Sequence, residues 1–166
     1  MKLNIVTFET SKLLKDFGFD IICPQCYGTA IIHNGEYLGY DEEYELRAEG
    51  RGDEIKYVDG MLYNMWFKNN DKEDHDIYAA PDIEIVRKWF RDKYNLHITA
   101  MPYITVEGHF WLSDVYTFND EMYDKLPLTT MVCNTYEEAI DKEIVKLLNY
   151  LKENRDNGKV HTTEVE

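Results

Sequence analysis

Cysteine is scarce in this chain: three residues of 166, at Cys23, Cys26 and Cys133. So few, and an odd number, cannot staple a disulfide scaffold, and a reducing, cytoplasmic setting is the simplest reading. Long apolar runs are missing, so no stretch of the sequence reads as a membrane-spanning helix. Met1 to Ser11 contains no basic segment followed by an apolar one and does not read as a signal peptide. Cations are also short: 18 Lys and Arg face 32 Asp and Glu, a formal charge of −14. General nucleic-acid binding rests on Lys and Arg neutralising phosphates, and an anionic membrane surface repels an acidic protein, so neither partner is expected. No Ser/Gly- or Pro-rich linker and no internal repeat divides the chain. The expectation is a single α+β domain over 1–153 with a polar C-terminal tail over 154–166.

Acid and aromatic residues are abundant. The acidic excess has two readings: a solvated surface that keeps the protein soluble, or a mimic of nucleic acid seated in a basic partner's groove. The first is the usual role of such residues. Thirteen tyrosines and three tryptophans exceed what a small core needs. Tyr and Trp are favoured anchors at protein interfaces. Tyr37, Tyr40, Tyr44, Tyr57 and Tyr63 fall beside the segment 41–54, which holds seven acids and two arginines. Tyr37, Tyr40, Asp41, Glu42, Glu43 and Tyr44 are therefore the candidate binding surface. The competing reading is that these rings fill both faces of a twisted sheet.

Residues 2–6 suggest a short strand. Thr7 can cap a helix carrying Leu13, Leu14 and Phe17, with Gly18 in the left-handed position past its end. Asn34-Gly35 between apolar runs predicts a tight hairpin of 27–33 with 36–40, and Asp59-Gly60 predicts a second, of 55–58 with 61–67. Pro81 suits the first turn of a helix whose apolar face carries Ile85, Val86, Trp89 and Phe90 and which stops at Asn95. Residues 97–106 and 109–116 read as strands joined at Glu107-Gly108, and 128–133 as another. Thr135 and Glu138 form a capping box for a helix with Tyr136, Ala139, Ile140, Ile144, Leu147, Leu148 and Leu151 on its buried stripe. Strands that arrive as neighbouring hairpins imply an antiparallel sheet, with two to three amphipathic helices packed on one face: an α+β arrangement.

Chemistry-bearing constellations are few. Cys23-Pro24-Gln25-Cys26 has the spacing of two thiolates that share a zinc ion, but no second tight pair completes a site. The same spacing serves redox chemistry in a strand-then-helix context, whereas here a helix precedes and a hairpin follows. Ordinary buried cysteines are the favoured reading. His97 and His109 are not placed opposite one another by a turn near 107–108, and His109 with Asp114 or Glu107 shows no recognisable arrangement of general base and partner. Asp71, Glu73, Asp74 and Asp76 suggest a calcium loop, yet its required Gly and Glu places hold Asp76 and Asp82. Arg51-Gly52-Asp53 is treated as a chance tripeptide. There is no phosphate-cradling glycine loop, nucleophile elbow or HExxH helix. No cofactor is expected.

Three stretches carry a resemblance. They are Thr10-Ser11-Lys12-Leu13-Leu14-Lys15-Asp16-Phe17-Gly18-Phe19-Asp20; Tyr78-Ala79-Ala80-Pro81 through Val86-Arg87-Lys88-Trp89-Phe90-Arg91 to Asn95-Leu96-His97-Ile98; and Tyr136-Glu137-Glu138-Ala139. The chain resembles a group of small proteins from phages and mobile elements of gut Bacteroidetes, to which no activity is assigned. The resemblance implies a shared helical framework and no functional residue. Cys-Pro-Gln-Cys and the insertion 41–53 depart from the group's pattern. The expected role is a non-catalytic accessory protein of a phage or mobile element, acting in the host cytoplasm by binding another protein. A homodimer is compatible with that role. The alternatives are a small zinc- or ligand-binding protein using Cys23 and Cys26, and a hydrolase using carboxylates and His109.

Overall fold

The computed structural model describes residues 4–37, 45–65, 68–69, 77–119 and 122–156. The elements in chain order are α1 (Phe8–Asp16), β1 (Cys26–His33), β2 (Glu36–Tyr37), β3 (Lys56–Tyr63), β4 (Tyr78–Ala79), α2 (Ile83–Tyr94), β5 (Leu96–Thr105), β6 (Gly108–Asn119), β7 (Met122–Lys125), β8 (Met131–Cys133) and α3 (Tyr136–Asp156). A helical stretch over 45–48 and a 3-10 turn at Gly52–Glu54 lie between β2 and β3. The fold is α+β with all strands antiparallel, as expected, but they form two four-stranded sheets. The chain divides into two compact units: unit 1 takes Met1–Phe19 and Pro81–Glu166, and unit 2 takes Asp20–Ala80. Among the described residues no helix is long and apolar enough to cross a membrane.

Unit 1 holds the three named helices and the sheet β5-β6-β7, with β8 also paired to β6. Thr7 caps α1 by accepting from the Thr10 N–H. Gly18, at φ +74°, ends it: the Gly18 N–H reaches the Lys15 carbonyl and the Phe19 N–H reaches Leu14. That pairing satisfies two carbonyls the last turn leaves open and delivers Phe19 next to Leu14, both fully buried. Phe19 then meets the Trp89 ring edge-on at 5.5 Å. The Asp141 carboxylate of α3 holds the start of α1, taking the Thr7 N–H at 2.9 Å and the Thr7 hydroxyl at 3.0 Å.

Asp82 caps α2 through the Glu84 N–H, and Asn95 at φ +54° closes it. Pro81 therefore stands before the cap, not in the first turn as expected. Its carbonyl accepts the Val6 N–H at 3.1 Å. The strand expected over 2–6 reduces to one bridge, Ile5 with Asp82, among its described residues. On α3 the Thr135 hydroxyl accepts the Glu138 N–H at 3.2 Å, while the Glu138 carboxylate accepts the Asn134 N–H at 3.3 Å. Ala139, Ile140, Ile144, Leu147, Leu148 and Leu151 are buried as their spacing predicts.

The β5–β6 ladder runs unbroken from Leu96↔Thr117 to Thr105↔Gly108. The turn is thus Val106-Glu107, one residue earlier than expected, because Gly108 already pairs. Ile98, Ser113 and Val115 share a face by the two-residue period of a strand, and all are buried. Ser113 bonds Glu143 of α3, so this is the face the helices cover.

Unit 2 is built on β1, which pairs with β3 along one side and with β2 and β4 on the other. Asn34 and Gly35 both take positive φ, 50° and 86°, which is what the primed hairpin turn requires. The second predicted hairpin does not form. Asp59-Gly60 lies inside β3, where the register shifts so that Asp59 and Gly60 together face Thr29. Gly60, at φ +76°, absorbs the extra residue as a β-bulge, and the Asp59 carboxylate accepts the Thr29 hydroxyl at 2.7 Å. The core of this unit is made of small and branched side chains: Cys23, Cys26, Ala30, Ile31, Ile55, Ala79 and Ala80. Of its described tyrosines, Tyr37, Tyr57 and Tyr63 are exposed and Tyr27 and Tyr78 are half-buried.

Candidate functional site

Of the predicted surface, Tyr37 is described and is 66% exposed on β2. Tyr40, Asp41, Glu42, Glu43 and Tyr44 lie outside the described residues. The same region brings together groups the sequence did not join. The Arg51 guanidinium forks onto Glu54, with Nε at 3.0 Å and a terminal nitrogen at 2.9 Å. His33 Nε2 stands 2.9 Å from the same carboxylate. These bonds, Arg51 first and His33 next, hold the Glu54 carboxyl down at about 2. The tripeptide at Arg51 is thus one end of an ion-pair cluster. Arg47 bonds the Tyr57 hydroxyl and lies 5.9 Å over its ring.

Beside this cluster runs β3. It is the edge strand of its sheet among the described residues. Tyr57, Val58, Leu62 and Tyr63 are all exposed. Because neighbouring residues point to opposite faces, these side chains stand on both faces of the strand. Tyr63 donates its hydroxyl to the Thr29 carbonyl at 3.4 Å, and Gln25 ties the following segment by donating to Asn64 at 2.8 Å. Among the described residues the arrangement presents an unpaired strand edge with aromatic side chains in a carboxylate-rich setting.

The cysteine pair is buried. Cys23 and Cys26 are both fully enclosed and not joined in a disulfide, and Cys23 donates its thiol to the Ile21 carbonyl at 3.4 Å. Burial pushes the Cys23 thiol up to about 11, which disfavours the thiolate a metal needs. Cys133 belongs to unit 1, on β8 opposite Trp111, and its thiol is also raised by burial. Among the described residues no group of three or more His, Cys, Asp or Glu is placed to hold a metal. The suggested calcium loop, 71–76, lies outside the described residues, and Asp82 serves as the cap of α2.

The histidines of unit 1 are separated, as expected: His97 pairs with Tyr116 and His109 with Ile104 near the hairpin tip. His109 and Asp114 are an odd number of positions apart on β6, so they point to opposite faces, roughly 16 Å from each other along the strand. Asp114 is committed elsewhere, to Lys125 at 2.6 Å and to the Thr130 hydroxyl at 2.7 Å. They do not form a base–orienter pair.

Sequence reasoning also missed the most enclosed acid. Glu143 is fully buried on α3, takes the Ser113 hydroxyl at 2.8 Å and lies 2.8 Å from the Lys146 ammonium. Burial raises its carboxyl above the ordinary value of 4.5. The only signal was a Glu within the apolar stripe, three residues after Ile140 and four before Leu147. Its closure from solvent marks it as structural.

No family model matches the chain, and no curated protein or solved structure matches it either.

Proposed function

We propose that this chain is a non-catalytic accessory protein of a phage or mobile element. It works in the cytoplasm of a bacterial host by binding another protein through the acidic, tyrosine-bearing surface of unit 2. One observation carries the reading: among the described residues β3 is an eight-residue edge strand with apolar side chains exposed on both of its faces. Such an edge accepts an added strand through main-chain hydrogen bonds, and Tyr57 and Tyr63 supply anchors for its side chains. Residues Asp20–Ala80 contain fourteen Asp and Glu against five Lys and Arg, so the fitting partner segment is extended, apolar at alternate positions and rich in Lys or Arg.

Selection from yeast-displayed random peptides tests this. Enriched peptides should combine alternating apolar residues with Lys or Arg. Their binding should fall about tenfold or more with Val58→Lys plus Leu62→Lys, and also with charge reversal at Asp41, Glu42 and Glu43, since edge lysines and lost charge both oppose such a strand. No enrichment, or binding untouched by either variant, overturns the proposal.

A further inference from the structure

Among the described residues of this acidic chain lies a concentrated basic cleft, far in kind from the surface just discussed. It encloses about 310 Å³ in unit 1, where the flank of α2 faces the start of β5. Arg87, Lys88 and Arg91 line it from the helix and His97 and Thr99 from the strand, with Glu84 the sole carboxylate on its wall. Arg87 and Arg91 are one helical turn apart and so lie on the same side of α2.

Arg87 is fixed before any ligand arrives. Its Nε donates to the Ile98 carbonyl at 3.0 Å, and one terminal nitrogen donates to the Glu84 carboxylate at 2.9 Å and the Tyr136 hydroxyl at 2.7 Å. The Tyr136 hydroxyl also donates to Glu84 at 2.7 Å, which locks the set. The other terminal nitrogen of Arg87 and the Lys88 ammonium have no partner among the described residues. Arg91 meets Asp92 at 3.4 Å. Glu84 therefore balances Arg87, Asp92 lies against Arg91 from outside the lining, and Lys88 is the cation left over.

We infer that this cleft is a binding site for a compact polyanion of the phosphate class, a phosphate ester or a diphosphate. Guanidinium and ammonium N–H donors match phosphate oxygens, and the second terminal nitrogen of Arg87, the Lys88 ammonium and the exposed Arg91 guanidinium are the donors on the wall. No Phe, Tyr or Trp lines the cleft, and His97 is its one ring. The volume sits at the small end of ligand pockets. The chain's overall negative charge does not forbid the site, because charges beyond about 8 Å are largely screened at physiological ionic strength.

The probe is inorganic pyrophosphate, titrated into the full chain by calorimetry at low ionic strength and followed by NMR. Saturable binding is expected, with His97 and Thr99 resonances shifting and His33 unmoved. Lys88→Ala with Arg91→Ala, both exposed side chains, should weaken binding about tenfold or more. Lys142→Ala with Lys152→Ala removes the same charge from α3 and should leave affinity unchanged. Absence of saturable binding, shifts that spare His97 and Thr99, or equal loss in the two double variants overturns the inference.

Discussion

Glu143 offers the sharpest test of how unit 1 is held together. Its carboxylate is fully buried, and three groups meet around it: Ser113 at 2.8 Å, Lys146 at 2.8 Å, and the Thr129 carbonyl that Lys146 also reaches. Two substitutions separate the contributions. Glu143→Gln keeps the volume and an oxygen for the Ser113 hydroxyl, and gives up only the charge. Lys146 is 23% exposed and can be solvated, so the lost ion pair is offset by the relief of a buried charge. The expected change is within about 1 kcal/mol of the native protein. Glu143→Ala strips the Ser113 hydroxyl of its partner and leaves a void against the sheet. The two effects together should cost about 2–4 kcal/mol. The pH dependence supplies a second reading. Burial raises the Glu143 carboxyl above its ordinary 4.5, so the unfolded chain ionises first. Its contribution to stability is greatest below that value and declines as pH rises through the folded value, at up to about 1.4 kcal/mol per pH unit. Glu143→Gln should remove that part of the slope. Urea unfolding followed by tryptophan fluorescence measures both, with Trp66 replaced by Phe so that Trp89 and Trp111 report on unit 1. A Gln variant as unstable as the Ala variant, or one that keeps the native pH slope, refutes this reasoning.

Two further outcomes follow from local geometry. Gly60→Ala should destabilise unit 2 by about 1–2 kcal/mol in urea, because φ +76° places a Cβ against its own backbone; a neutral result would mean that the bulge relaxes freely. Under native conditions at mildly alkaline pH, iodoacetamide should leave Cys23 and Cys133 unmodified, since burial raises both thiols, Cys23 to about 11, and all three cysteines should react once the chain is unfolded. Mass spectrometry reads the label, and native modification of Cys23 would contradict the enclosed thiol.

What was legible in the sequence was local. Gly18, Asn34-Gly35, Asn95 and the Thr135–Glu138 box are chemical instructions to adjacent peptide groups, and each acts where it stands. Asp59-Gly60 carries the same two-residue signal as Asn34-Gly35 but ends as a bulge. Whether a left-handed glycine turns a chain or kinks a strand depends on what lies across from it, here Thr29, thirty residues away in the chain. The same limit hid the clusters. Glu54 is three residues from Arg51 but twenty-one from His33, and Ser113 is thirty from Glu143. Arg87, Lys88 and Arg91 read as an ordinary charged helix flank until β5 closes the other wall of the cleft. Of the candidate binding surface, the tyrosine-rich character was readable from composition, while the open edge that gives it a use was not.

The two long edge strands differ in a way that bears on that use. β5 is an edge strand too, ten residues long, and its edge is obstructed. The Val115 carbonyl turns away from β5 to accept the Leu126 N–H at 2.8 Å, so the backbone groups of its pair partner Ile98 point outward. Arg87 covers that Ile98 carbonyl, and Pro102, four residues on and facing the same way, has no N–H to offer. A covered acceptor and a missing donor are what keep an edge from recruiting another strand. β3 has neither. It contains no proline, its only charged residues are Lys56 and Asp59, and the Asp59 carboxylate is bonded within the sheet to Thr29. Among the described residues β3 is the less guarded of the two edges, and an exposed apolar edge of this kind is where the proposed partner strand would add. The net charge of −14 opposes pairing between two copies while favouring a basic segment at the same edge.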